Sequence, residues 1–255
     1  MLSTIETIVR KAAGIIKTPD ADKGITSKSC GRDLVTLYDK KIQELLYSEF
    51  SRDFPDAGFL GEEQLNKPSR DGGVFIIDPI DGTTNFIKGL NHSGISVGYC
   101  RNGIMTCGVV YDPYADEMFT AELGKGAYLN GRPIHISDEP IERSVCHYGT
   151  APYYDDLRKK SFDLAAAVTA LVIDSRRRGA ASLDFCDVAC GRAELYFEYY
   201  LSPWDLAAGS LIASEAGAIV TDMDGKPLQY EKGTAVAVGT PKTYPILMDL
   251  IKKQK

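Results

Sequence analysis

The 255-residue chain carries 29 Lys and Arg against 35 Asp and Glu, a formal net charge of −6. With one short basic run, Arg176–Arg178, it lacks the clustered cationic footprint that a phosphate backbone requires, so nucleic acid is not an expected partner. An apolar fraction of 44% excludes a disordered chain, and the longest charge-free stretch, Gly89–Cys100, has twelve residues where a spanning helix needs roughly 18, which excludes a membrane span.

Glu6, Arg10 and Lys11 interrupt the apolar residues of the N-terminus as no signal peptide would, and a cytoplasmic protein is expected. The six cysteines, Cys30, Cys100, Cys107, Cys146, Cys186 and Cys190, form no C-x-x-C and read as reduced, mostly core residues. His92, His135 and His147 show no H-x-x-x-H or H-E-x-x-H spacing. Metal chemistry in this chain is therefore expected to use oxygen ligands.

Ile5, Ile8, Val9, Ala12, Ala13 and Ile16 recur at helical spacing, as do Val35, Tyr38, Ile42, Leu45 and Leu46, predicting two amphipathic helices before residue 50. From Val74 the period shortens. Val74–Ile77 reads as a buried strand, Ile95, Val97 and Tyr99 alternate, and Arg101-Asn102-Gly103 turns the chain into Ile104–Tyr111. Strands at Glu117–Ala121, Ala127–Leu129 and Pro133–Ile136 complete an antiparallel meander.

Beyond about residue 140 strands and helices alternate. Strands are expected at Ser144–His147, Leu171–Ile173, Glu194–Glu198, Ala218–Thr221 and Thr234–Val238. Helices are expected at Asp155–Ala170 and Leu183–Cys190, from Pro203 to a stop at Gly217, and after Thr240-Pro241. The pattern predicts layered sheets with helices between and outside them, divided into packed halves at 1–140 and 141–255 within one compact unit.

Val74-Phe-Ile-Ile-Asp78-Pro79-Ile80-Asp81-Gly82-Thr83-Thr84-Asn85-Phe86 carries the most information. A buried strand runs into Asp78, Pro79 breaks it, and Asp81 follows three residues later, so both carboxylates can face one point. Such a pair suits Mg²⁺, with the Ile80 carbonyl as a further oxygen ligand. Gly82-Thr83-Thr84 can then begin a turn whose amides point at an anion, although Asp, Pro, Gly and Asn are also what plain surface turns use.

Gly61-Glu62-Glu63 lies sixteen residues before Asp78, counted from Glu62, and alone reads as a solvated acidic loop. Ser202-Pro203-Trp204-Asp205 reads first as a capping box, whose carboxylate can also be held toward a metal cluster. Asp222-Met-Asp224-Gly225 lacks the full ligand set of a calcium loop and reads as a turn. Gly124-Lys-Gly126 lacks the third glycine of a dinucleotide site. Arg176–Arg178 reads as a solvated or interfacial run, and Tyr199 and Tyr200 as either mouth or packing residues.

Taken together, Glu62 in G-E-E, D-P-I-D-G-T-T-N-F at Asp78–Phe86 and W-D-x-A-A-G at Trp204–Gly209 resemble the signatures of the inositol monophosphatase family of Mg²⁺-dependent, lithium-sensitive phosphatases. Asp33-Leu-Val-Thr36 with Asp39, the hairpin at Gly124–Gly131, and Gly179-Ala-Ala181 through Glu198 extend the resemblance over nearly the whole chain. It implies an α+β fold, the layered αβαβα sandwich of the inositol monophosphatase and fructose-1,6-bisphosphatase type, and a homodimer. It further implies that Glu62, Asp78 and the Ile80 carbonyl hold one Mg²⁺ and that Asp78, Asp81 and Asp205 hold a second, with a third, weaker ion near Glu62. Thr83 with Glu62 would activate the attacking water, Asp39 would support Thr83, the amides of Gly82 and Thr83 would hold the phosphate, and Glu198 and the Ala181 backbone would meet hydroxyls of a phosphorylated polyol.

Inositol monophosphate is the expected substrate. Fructose 1,6-bisphosphate, histidinol phosphate, NADP and 3′-phosphoadenosine 5′-phosphate are the alternatives within the superfamily. A non-catalytic Mg²⁺-binding regulatory protein is the alternative of another class. The intact set of metal and water-orienting positions speaks against it.

Overall fold

The computed structural model describes residues 1–17, 24–27, 34–63 and 66–254. Asp33 and Cys30 lie outside the described residues. In chain order the elements are α1 (Leu2–Lys17), β1 (Thr26–Ser27), β2 (Leu34–Val35), α2 (Leu37–Asp53), β3 (Gly58–Gly61), β4 (Asn66–Lys67), β5 (Gly73–Asp81), α3 (Thr83–Lys88), β6 (Gly94–Arg101), β7 (Ile104–Asp112), β8 (Glu117–Glu122), β9 (Ala127–Leu129) and β10 (Arg132–Ile134). There follow β11 (Val145–Tyr148), α4 (Asp155–Thr169), β12 (Asp174–Arg176), α5 (Ala181–Ala189), β13 (Leu195–Leu201), α6 (Pro203–Glu215), β14 (Ile219–Thr221), β15 (Thr234–Gly239) and α7 (Tyr244–Lys253).

Two large sheets result, an eight-stranded one ordered β10-β9-β8-β7-β6-β5-β3-β4 and a five-stranded one ordered β12-β11-β13-β15-β14. Apolar faces dictate how the helices cover them. Along β5, Phe75 and Ile77 point into the core shared with α1 and α2, whereas Ile76 points to the opposite face, into the core shared with α5 and α6. Both faces of this strand are thus buried, which explains its unbroken apolar run. The α5 and α6 layer lies between the sheets, and α4 and α7 cover the outer face of the smaller one. The order is the expected αβαβα.

Helix α1 buries the predicted stripe of Ile5, Ile8, Val9, Ala12, Ala13 and Ile16. Helix α2 begins at Leu37 rather than Val35, because Thr36 caps it: the Thr36 hydroxyl accepts the amides of Tyr38 and Asp39, and Asp39 Oδ2 accepts the Thr36 amide at 2.7 Å. This capping box fixes Asp39 in the first turn of a buried helix. Beneath α2, Phe75 stacks on Phe50 with ring centroids 4.4 Å apart and also meets Phe54, Phe59 and Tyr99.

Three expectations need correction. Pro79 does not end its strand: β5 continues to Asp81, and the ladder to β6 skips from Asp78 to Asp81, so the proline occupies a bulge where no amide is required. Leu171–Ile173 is not a strand; β12 begins at Asp174, and Leu171 and Ile173 are exposed, since no layer covers that edge. Thr240-Pro241 belongs to a turn, and the last helix starts at Tyr244. The remaining elements after residue 140 match their expected positions to within a few residues.

The middle layer is drawn tight. A Cβ on Gly108 would lie 2.8 Å from the Ala208 carbonyl oxygen, so the absence of a side chain on β7 sets how closely α6 approaches the large sheet, and with it the height of the helix's first turn. No helix is long and apolar enough to cross a membrane among the described residues.

Phe75 meets four aromatic rings, from α2 and its C-terminal end, β3 and β6, so Phe75→Ala is expected to destabilise the fold by about 3–5 kcal/mol. Denaturant unfolding compared with the unaltered chain measures it.

Candidate active site

Strand β3 was not foreseen from the sequence, and it places Glu62. It runs parallel to β5 with Gly61 opposite Ile77, and the Glu62 amide donates to the Ile77 carbonyl at 3.2 Å. Glu62 therefore leaves its strand beside Asp78, and the two carboxyls share a hydrogen bond. At the bulge, Asp78 Oδ1 accepts the Ile80 amide at 3.0 Å, which holds the backbone around Pro79 and brings Asp81 back to the same side.

Asp205 arrives from the other direction, in the first turn of α6. Its Oδ2 accepts the Ser202 amide at 2.7 Å, so the capping role is real. A carboxylate has acceptor capacity beyond one such bond, and Asp78, Asp81 and Asp205 each present an oxygen within 4.8 Å of the others. Asp81 is further tied to α5: the Ala181 amide donates to Oδ1 at 3.2 Å, and the Ser182 amide and hydroxyl donate to Oδ2 at 2.7 and 2.5 Å. These are first-turn donors that a helix leaves unsatisfied, and an anion satisfies them.

The electrostatics are one-sided. Burial, then Glu62, Asp81 and Asp205, hold the Asp78 carboxyl well above the usual range. Burial, then Asp81 and Glu62, do the same to Asp205, and burial raises Asp81 against the opposing donors of Ser182 and Ala181. The foremost charges acting on Asp78 and Asp205 are all negative. A donor set of carboxylates and the neighbouring Ile80 carbonyl, all hard oxygens, fits a hard divalent ion. Asp39, Glu62 and Glu63 form an adjoining acidic group of the same spacing.

Thr83 opens α3. Its hydroxyl lies 3.0 Å from the Ile80 carbonyl and 3.3 Å from Asp39 Oδ1, so Asp39 is a neighbour of Thr83 as well as a cap. Gly82, just before it, has a left-handed backbone, and a Cβ there would meet Ala180, the Gly179 carbonyl and the His92 carbonyl at 3.1 to 3.2 Å. Only glycine fits.

Glu62, Asp81, Gly82, Thr83 and Asp205 line a cleft of about 370 Å³ that is also lined by Glu198, Asp184, Arg177 and the rim residues Tyr153, Tyr154 and Tyr200. Glu198 Oε2 accepts the Tyr196 hydroxyl at 2.9 Å, and burial, opposed by that bond, pushes its carboxyl up to about 7. A Cβ on Gly149 would sit 1.9 Å from the Glu198 carboxyl carbon, which reserves that space for the carboxylate. Ala181 lines the cleft, with its amide engaged by Asp81. Tyr200 reaches the cleft, whereas Tyr199 packs in the outer core and bonds Gln254 at 3.0 Å.

The arginine run separates into three roles. Arg176 pairs with Asp174, Arg177 enters the cleft of its own chain, and Arg178 pairs with Asp187 and lies 3.1 Å from His92 Nδ1. Behind the cleft, His147 Nδ1 stands 2.8 Å from Asp184 Oδ1 and 3.8 Å from Asp187 Oδ2. No spacing rule finds this group, because β11 and α5 bring it together over forty residues. Arg178 and Arg192 already pair with Asp187, so this group is provided with cations of its own. Cys100, Cys107, Cys146 and Cys186 are buried free thiols, and Cys190 is half-buried and free.

A model of the inositol monophosphatase family matches residues 1–255. The Nus factor SuhB of Vibrio cholerae is 35% identical over 257 residues, covering 99% of this chain and 96% of that one. Inositol monophosphatase 1 of Solanum lycopersicum is 38% identical over 200 residues, covering 76% and 73%. The crystal structure of the extragenic suppressor protein suhB from Bartonella henselae superposes with a TM-score of 0.92 at 32% identity, covering 99% of this chain and 98% of that one.

The raised carboxyls have a sign that can be tested. Native Asp78, Asp81 and Asp205 keep protons to higher pH than the unfolded chain does, so without metal the cluster costs stability as pH rises from about 4 through the native values. Asp78→Asn should therefore melt higher than the unaltered protein in EDTA at about pH 7.5, with the gap closing toward pH 4, each kcal/mol relieved being worth roughly 2–4 °C. Scanning calorimetry of both proteins across that range is the measurement.

Proposed function

The chain belongs to the inositol monophosphatase family, and we propose that it is a Mg²⁺-dependent phosphomonoesterase that releases phosphate from an inositol monophosphate. The observation that carries this reading is the convergence of Glu62, Asp78, Asp81 and Asp205 at a cleft that also presents Glu198. Glu62, Asp78 and the Ile80 carbonyl would hold one Mg²⁺, Asp78, Asp81 and Asp205 a second, and Glu62 would border a third. Bound there, divalent ions supply a lowered water pKa and stabilisation of charge on the phosphoryl and leaving oxygens.

What the chain's own residues contribute follows from their donors and acceptors. The Thr83 hydroxyl has one proton and two neighbouring acceptors, so once that proton is given to Asp39 or to the Ile80 carbonyl, its oxygen is left to accept from water. Asp39 is held for this by two bonds from Thr36, its amide at 2.7 Å and its hydroxyl at 2.5 Å. Glu62, at the same edge, is the carboxylate that takes the proton. The amides of Gly82 and Thr83, at the left-handed turn that opens α3, would meet the phosphate.

In the same cleft Glu198 is a hydroxyl acceptor, and a carboxylate in that place suits a polyol better than a second phosphate. The relatives named as a Nus factor make a regulatory, partner-binding protein the second reading. The intact carboxylate cluster favours the first.

Phosphate release from inositol 1-phosphate, fructose 1,6-bisphosphate, histidinol phosphate, NADP and 3′-phosphoadenosine 5′-phosphate, with Mg²⁺ and with EDTA, tests the reading. Inositol 1-phosphate should lead and EDTA should abolish release. Silence on all five would favour the regulatory reading. Asp81→Asn should lower kcat by on the order of 10³-fold or more, since several kcal/mol of charge stabilisation depend on that ligand. Thr83→Val should lower kcat by about 10²–10⁴-fold with KM little changed, as expected for loss of a group that handles the proton.

A further inference from the structure

Glu62 directly follows the four residues of β3, and where its carboxylate points depends on what holds the peptide planes on either side of its Cα. The plane before it is held by β5, through the Glu62 amide on the Ile77 carbonyl. The plane after it is held by a side chain of α2. The Glu63 amide donates to Gln43 Oε1 at 3.0 Å, and Gln43 Nε2 donates to the Glu63 carbonyl at 3.1 Å. One side-chain amide thus grips both backbone groups of a single residue, twenty positions away in the sequence.

Packing alone does not account for a glutamine here. Gln43 is 5% exposed and lies beside Ile42 on the buried side of α2, where an apolar side chain would avoid the cost of desolvating an amide. It stands four residues after Asp39, so the two share a face of the helix, and Asp39 Oδ1 lies 3.3 Å from the Thr83 hydroxyl. That one face therefore serves Thr83 and the Glu62 turn together, and Asp39, Glu62 and Glu63 present oxygens within 4.8 Å of one another. A carboxylate at position 43 could accept the Glu63 amide but not donate to its carbonyl; the neutral amide does both and adds no charge to the acidic group.

We propose that Gln43 is a positioning residue for the metal site: by fixing the peptide that follows Glu62, it aims the Glu62 carboxylate at the ion that Glu62 shares with Asp78. The inference rests on the phosphomonoesterase reading and deepens it, because it names the group that prepares the β3 side of the site for a divalent ion. Without the clamp Glu62 has to be ordered when the ion binds, and affinity falls by that cost. Asp78, Asp81 and Asp205 keep hydrogen bonds of their own, so the rest of the site is left in place.

The test follows Mg²⁺ binding to the full chain as the rise in melting temperature over EDTA along a Mg²⁺ series, beside turnover of inositol 1-phosphate at limiting and saturating Mg²⁺. Gln43→Met keeps the length and loses both bonds. It should weaken Mg²⁺ binding about 10- to 100-fold, with most of the lost turnover restored at saturating Mg²⁺. In a Glu62→Gln background the same change should alter Mg²⁺ binding by less than about twofold, because the carboxylate that Gln43 aims is gone. Undiminished Mg²⁺ binding by folded Gln43→Met, or a loss of equal size in both backgrounds, would overturn the assignment. Should Gln43→Met fail to fold, the shorter Gln43→Asn is read in its place by the same two comparisons. No turnover by an unaltered protein that binds Mg²⁺ would overturn the phosphomonoesterase reading instead, with the Mg²⁺ series still deciding the role of Gln43.

Discussion

Mutual repulsion among clustered carboxylates is the constraint around which this molecule is organised. Glu62, Asp78, Asp81 and Asp205 come from the end of β3, the bulge of β5 and the start of α6, and left to themselves they would separate. Packing elsewhere holds them. The aromatic stack of Phe50 on Phe75 anchors β5 from one side, while α6 is pressed against the other face of the large sheet where Gly108 leaves room. Stability invested in the layers is thus offset at their common edge, as is usual where a site needs an arrangement that folding alone would not choose.

Local hydrogen bonds then convert this strain into fixed geometry. Asp205 is pinned by the Ser202 amide, Asp81 by the first-turn amides of α5, and Asp78 by the Ile80 amide. Each carboxylate thus has an acceptor task in the fold that sets its direction. The cap and the cluster role of Asp205 are one device, since the bond that caps the helix also aims the side chain.

Much of this was legible in the sequence, and the exceptions have physical causes. The run from Val74 to Phe86 identified its own strand and both aspartates because a buried strand ending in acidic residues has few other uses. Pro79 misled as a strand breaker because a bulge is a tertiary accommodation: whether the missing amide matters depends on the neighbouring strand. Glu62 could be paired with Asp78 only by resemblance, since a four-residue parallel strand leaves no periodicity to read. The exposed Leu171 and Ile173 imitated a buried strand for the opposite reason, an apolar run that no layer covers. His147, Asp184 and Asp187 were invisible, being joined through β11 and α5 rather than by spacing.

The residues of the cleft have different parentage. Most of the carboxylate cluster is built on the large sheet and on α6, whereas Tyr153, Tyr154, Glu198 and Tyr200 belong to the smaller sheet and to the loop after β11, where Ala151 adopts a left-handed backbone. Tyr153 and Tyr154 are each 44% exposed and bear little of the core. Divergence of the rim can therefore proceed by loop substitutions that leave the reaction chemistry intact, so descendants of one scaffold can part company over what they act on while agreeing on how they act.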